Sequence, residues 1–139
     1  MKKILLFTCF ALLCLCGYSQ SMTSYKTKNA TNAKDRTAML DLLRTKLTQV
    51  HKQDFVFVVD VFNVSGGYAW LKATAQRKDG AQISLSDDYD CCHVEALFKK
   101  NSTTWTLVES GAFSTDVWYD GIWNRVNAPK IIFGEDYHE

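Results

Sequence analysis

Phe55-Val56-Phe57-Val58-Val59-Asp60-Val61-Phe62-Asn63-Val64, then Ser65-Gly66-Gly67, then Tyr68-Ala69-Trp70-Leu71-Lys72-Ala73-Thr74-Ala75-Gln76, is the stretch on which the reading of the fold turns. Two runs rich in β-branched and aromatic residues flank a glycine turn, which is the pattern of an antiparallel hairpin. Side chains on a strand alternate faces, so each face of the pair must be chemically consistent. The odd positions Phe55, Phe57, Val59 and Val61, with Ala69, Leu71, Ala73 and Ala75, form one apolar layer. A three-residue Ser65-Gly66-Gly67 loop brings them together by pairing Val61 with Leu71, Val59 with Ala73 and Phe57 with Ala75. On the other face that register sets Asp60 across from Lys72 and Phe62 across from Trp70.

Working outward, Cys91 to Lys99 and Thr103 to Val108 read as a second hairpin. A two-residue Asn101-Ser102 turn pairs Phe98 with Trp105 and Ala96 with Leu107, and places His93, Glu95, Leu97 and Lys99 on the face that carries Trp70. Between the hairpins, Lys78-Asp79-Gly80 opens a longer connection to Asp90, with Gln82 to Leu85 as a candidate short strand. Upstream, Met39, Leu40, Leu43, Leu47 and Val50 recur at helical spacing, which predicts an amphipathic helix from Ala33 to His51. Asn32, with Asp35 three residues later, reads as its N-terminus. The three alanines of the second strand leave room for that helix on the first sheet face. Residues 20–31 are polar and read as a flexible leader, so residues 32–139 form a single domain.

The second face is unusual. Val56, Val58, Phe62, Val64, Tyr68 and Trp70 surround Asp60 and Lys72, where a solvated face would be more polar. Something should cover it: the C-terminal segment, a second copy of the chain, or a ligand. Trp118 to Phe133, with Trp118, Tyr119, Ile122, Trp123, Ile131 and Ile132 ahead of Phe133, is the candidate from within the chain. Pro129, the only proline, marks a turn before a last extended stretch.

One helix followed by an antiparallel meander resembles the cystatin-like and NTF2-like α+β group. Ala69-Trp70-Leu71, the Asp79-Gly80 turn, Ala96-Leu97-Phe98-Lys99-Lys100 ahead of Trp105, and Thr115-Asp116-Val117 ahead of Ala128-Pro129 resemble small exported bacterial proteins of uncharacterised function. The resemblance implies an α+β fold with one N-terminal helix packed on a curved antiparallel sheet of four or five strands. It implies no catalytic residue, and the fold group hosts enzymes, inhibitors and binding modules alike.

The N-terminus gives a location. Lys2 and Lys3 precede an apolar run from Ile4 to Cys16, shorter than the roughly 20 residues a membrane span needs. Gly17 and Ser19 stand at the minus-three and minus-one positions of a signal-peptidase site, so residues 1–19 read as a signal peptide and the chain as secreted or periplasmic. A lipid anchor at Cys16 needs a small residue before it, and Leu15 is large. Without Lys2 and Lys3 the 16 basic residues fall to 14 against 15 acidic, a net charge of −1 instead of +1. That balance carries no footprint for nucleic acid or for an anionic membrane surface.

Of five cysteines, Cys9, Cys14 and Cys16 lie in the signal, which leaves the neighbours Cys91 and Cys92. They read as one buried thiol and one exposed or intermolecular thiol, with a vicinal disulfide as the second reading; a metal site of Cys91, Cys92 and His93 ranks below both, because no second ligand pair stands at metal spacing. No nucleophile elbow, phosphate loop or paired zinc motif is present, so neither a cofactor nor a metal is expected.

Asp60, Lys72, His93 and Glu95 among Phe62, Tyr68 and Trp70 make the best polar constellation, because convergent polar groups on an apolar surface are the usual form of a ligand site. His51 and His138 are expected at the surface. Two functions fit. The first is a non-catalytic module, inhibitors included, that binds a protein or small ligand on the aromatic sheet face. The second is a small enzyme using Asp60 or Glu95 with His93 for acid and base chemistry. The first needs no nucleophile, metal or oxyanion donor, and the sequence offers none.

Mass spectrometry of the protein isolated from its native host should give an N-terminus within a few residues of Gln20. Retention of Met1 contradicts export, and a lipid adduct on Cys16 establishes the anchored form instead.

Overall fold

The computed structural model describes residues 20–139; the signal-peptide reading falls outside the described residues. The chain is α+β, as expected: one long helix packs against an open five-stranded antiparallel sheet, a fold compatible with the cystatin-like and NTF2-like group. The strands follow in sequence order, β1 (Thr23–Ser24), β2 (Phe55–Ser65), β3 (Tyr68–Arg77), β4 (His93–Asn101) and β5 (Thr104–Ala112). Helix α1 spans Ala33–His51, and a short helix α2 (Ile122–Val126) and a 3-10 segment (Lys130–Asp136) follow the sheet.

Helix α1 has the bounds that its periodicity predicts. Met39, Leu40, Leu43 and Leu47 are buried, while Val50 rolls off the stripe and stays 60% exposed. Its start is built differently from the expected cap. The Asn32 side chain makes no cap bond; its oxygen accepts from the Asn29 N–H at 2.9 Å and its amide donates to the Thr27 carbonyl at 3.0 Å. Asp35 instead reaches across to Lys100 at 2.8 Å, tying the first turn of α1 to the β4–β5 hairpin. That ammonium holds the Asp35 carboxyl below its usual range.

Residues 20–31, expected as a flexible leader, include the edge strand β1. Thr23 and Ser24 pair with Val64 and Asn63 at the sheet edge, and Ser65 Oγ donates to the Ser21 carbonyl at 2.9 Å. Arg36 Nε donates to the Tyr25 carbonyl at 2.9 Å, so the segment is fastened from the helix as well. The fifth strand is therefore β1 and not Gln82 to Leu85, which forms no strand. The Gln53 side chain pairs with both backbone groups of Ser84, and Ile83 and Leu85 pack on the core beneath α1.

The hairpin register is half right, and the reason is local. Gly66 and Gly67, both at positive φ, make a two-residue turn that sets Ser65 across from Tyr68. From that turn inward, Phe62 pairs with Leu71 and Val61 with Lys72, which contradicts the expected pairs Asp60 with Lys72 and Phe62 with Trp70. A β-bulge at Asp60 then restores the expected pairs Val59 with Ala73 and Phe57 with Ala75. Continued without the bulge, the two-residue register would set Asp60 against Ala73 in the helix layer. Ejecting that one residue keeps the carboxylate out and flips the parity of β2. Phe55, Phe57 and Val59 on one side of the bulge, and Phe62 and Val64 on the other, all face α1.

The β4–β5 hairpin repeats the device. Its turn is Ser102-Thr103, one residue later than expected, so Phe98 faces Leu107 and Lys100 faces Trp105. A second shift, at Val108, sets Ala96 across from Ser110. Because β4 is regular, His93, Glu95, Leu97 and Lys99 do share the face opposite α1, as predicted.

Part of that second face is covered by the C-terminal segment. Trp70, Tyr68 and Leu97 are buried against Ile122, Trp123, Ile132 and Phe133, with Trp118, Tyr119 and Val61 at the margin. Pro129 precedes helical turns, not an extended stretch, and its ring sits over the hairpin: a Cβ on Gly66 would lie 2.8 Å from Pro129 Cγ. Gly111 has the same role further along, since a Cβ there would lie inside the Trp118 indole.

Gly111→Ala should therefore cost about 1–3 kcal/mol in denaturant unfolding, the usual range for overpacking. In the Trp118→Ala background the same change should cost nothing further. Additive costs would show that the indole does not rest on Gly111.

Candidate functional site

A wholly buried Trp70 brings an indole N–H that must find an acceptor. It donates to Asp136 at 3.1 Å. The same carboxylate takes Lys72 Nζ at 2.7 Å and the Tyr119 hydroxyl at 3.4 Å. Tyr119 and Phe133 pack against the Trp70 ring at 5.1 and 5.0 Å between centroids. Asp136 is the residue the sequence reading missed; it lies outside the apolar run that marked the cover, and the expected register had already given Lys72 to Asp60.

Lys72 stands between two acids. Burial works against its charge, but the bond to Asp136 prevails and its pKa is raised. Glu95, directly across from Lys72 in the β3–β4 register, is buried beside Trp118 and takes its indole N–H at 3.4 Å. Burial pushes its pKa above the usual carboxylate value, against the pull of His93, Trp118 and Lys72. His93 is half-buried and its Nε2 contacts the Ser114 carbonyl.

The structure thus brings Trp70, Lys72, Glu95 and His93 to one face, with Tyr68 beside the cover, where its hydroxyl donates to the Val126 carbonyl at 2.7 Å. Asp60 does not lie across from Lys72; among the described residues its side chain accepts one hydrogen bond, from the Thr74 hydroxyl at 3.4 Å. Phe62 leaves the constellation altogether, because the bulge turns it into the layer under α1, 6.2 Å from the Phe98 ring.

The cover stops short of the whole face. Beyond Lys72 and Glu95, Val56 is 36% and Val58 49% exposed, and Asp60, Thr74 and Gln76 are exposed beside them. This open shelf is bounded by β2 on one side and His93 on the other. Among the described residues no group of three or more His, Cys, Asp or Glu could hold a metal ion, and no helix is long and apolar enough to cross a membrane. No protein-family model matches the chain, no curated protein matches it, and no solved structure matches it.

The raised Glu95 pKa fixes the sign of a pH effect. A carboxyl that holds its proton more tightly folded than unfolded costs stability when ionised, and that cost disappears as pH falls through the folded pKa. Glu95→Gln should therefore melt higher than wild type at pH 7, with the gap closing as pH falls toward the ordinary value of 4.5. A Glu95→Gln variant that melts lower at pH 7 would show that the Lys72 and His93 charges outweigh burial.

Proposed function

We propose that the chain is an exported, non-catalytic binding module whose contact surface is the open shelf of the second sheet face. The observation that carries this reading is the division of that face. Its aromatic half is filled by the chain's own C-terminal segment, and its valine half is not. The surface first expected around Trp70 is thereby moved along the strands: Trp70 and Tyr68 support the cover, and Val56 and Val58, with Asp60, Thr74 and Gln76, face outward. Two apolar side chains ringed by groups able to hydrogen-bond suit a protein surface better than a small molecule, which needs concavity. An enzyme that the chain inhibits and a second copy of the chain would both be partners of this kind.

The commitments of the polar groups favour binding over chemistry. Lys72 is held by Asp136, Glu95 by Trp118 and His93 by the Ser114 carbonyl. Each bond fastens the cover or its approach to the sheet. The enzymatic reading with Asp60, Glu95 and His93 draws on the elevated Glu95 pKa, since perturbed carboxyls are common in acid and base catalysis. Glu95, however, lies under an indole, whereas a general acid must reach its substrate.

A photo-crosslinking residue at position 58 should give one adduct of defined mass in host cells, and the same residue at exposed Val50 should not. Val58→Asp should weaken the complex at least tenfold, about 1.4 kcal/mol, without lowering the melting temperature. Equal labelling at both positions contradicts the shelf. Turnover of any substrate that is lost selectively in Asp60→Asn or His93→Ala would establish the enzyme instead.

A further inference from the structure

Cys91 and Cys92 are joined as a disulfide between neighbours, at the point where residues 78–92 enter β4. Such a bond cannot hold two distant segments together, and its effect is confined to the chain around it. Cys91 is exposed and Cys92 half-buried. The Cys92 carbonyl accepts from the Ala75 N–H at 2.8 Å, the last rung that β3 makes on this side. Just ahead of the pair, the Asp90 N–H donates to the Phe113 carbonyl at 2.9 Å. The Tyr89 ring stands edge-on to His51 at the end of α1, 5.5 Å between centroids. The pair also forms one wall of a groove of about 420 Å³, whose floor is Ala75 to Arg77 and whose far wall is Gly80 to Ile83.

We propose that Cys91–Cys92 is a thiol–disulfide exchange site for an exported dithiol, and that its redox state sets how firmly residues 78–92 are held against the sheet. The inference is independent of the shelf on the second face. A thiolate of the dithiol attacks the exposed Cys91 sulfur; a mixed disulfide forms there, and the Cys91–Cys92 bond breaks with its electron pair left on Cys92, which takes a proton. The second thiol of the donor then attacks the mixed disulfide and releases Cys91, which is protonated in turn. Two electrons and two protons pass to the chain, and the donor leaves as its own disulfide.

In the oxidised state the bond closes a small covalent ring through the Cys91–Cys92 peptide, directly ahead of the Cys92 carbonyl that accepts from Ala75. Opening the ring frees rotation on both sides of that peptide. The contacts that hold residues 78–92 then include the Lys78–Asp54 and Asp90–Phe113 backbone bonds at its two ends, the Gln53–Ser84 pair, the Tyr89–His51 contact and the packing of Ile83 and Leu85. These are the kind of local contacts that open without global unfolding.

The test uses the mature protein, with thiol trapping and hydrogen exchange before and after dithiothreitol. The protein as purified from an oxidising compartment should have no free thiol. Reduction should speed amide exchange several-fold in residues 82–92 and at Ala75, and leave Ala96 to Leu107 unchanged. The double variant Cys91→Ser/Cys92→Ser should match the reduced protein and ignore dithiothreitol. Two free thiols in the purified protein, unchanged exchange on reduction, or faster exchange throughout the sheet would each overturn the proposal. The last result would mark the bond as a global staple and not a local exchange site.

Discussion

One residue ejected from the ladder at Asp60 sets the division of labour in this molecule. β2 is apolar at almost every position, so alternation alone cannot tell it which side to bury. The bulge lets Phe55, Phe57, Val59, Phe62 and Val64 all turn toward α1 while the Asp60 carboxylate stays in water. It also turns Val61, not Phe62, toward the C-terminal cover. A bulge strengthens local twist and bends its strand, and it falls where the covered and open halves of the second face meet.

The cover depends in turn on a single carboxylate. Burying a tryptophan gains apolar contact but strands an indole N–H, and burying part of a lysine strands a charge. Asp136 answers both at once and brings the Tyr119 hydroxyl with it. The aromatic content that would make an attractive binding face is thus consumed within the chain, where Trp70 meets Tyr119, Phe133 and Trp118. What faces outward is Val56 and Val58 among Asp60, Thr74 and Gln76, the surface proposed for a protein partner.

Much of the fold was legible because its strongest signals are periodic. Met39 to Leu47 place the helix, and the two turn signals place both hairpins. The aromatic density from Trp118 to Phe133 identifies the cover, because a half-apolar sheet face cannot stay bare. The register was not legible near the turns. Parity assumes unbroken alternation, and β2 and β5 each break it by one residue, so Phe62 lies on the α1 face and not on the face that parity predicts. β1 escaped notice because two polar residues on an edge carry no hydrophobic pattern. The candidate site suffered both errors: Lys72, Glu95, His93 and Trp70 were placed together correctly, whereas Asp60 lost its partner and Asp136 carried no pattern to betray it.

Cross-strand NMR contacts between β2 and β3 test most directly whether the bulge divides the second face. Backbone proton contacts linking Val61 with Lys72, Phe62 with Leu71 and Val59 with Ala73, and leaving Asp60 unpaired, are the predicted result. Contacts linking Asp60 with Lys72 and Phe62 with Trp70 would contradict it, since an unbroken strand would return Phe62 to the Trp70 face and remove the boundary at which the cover ends.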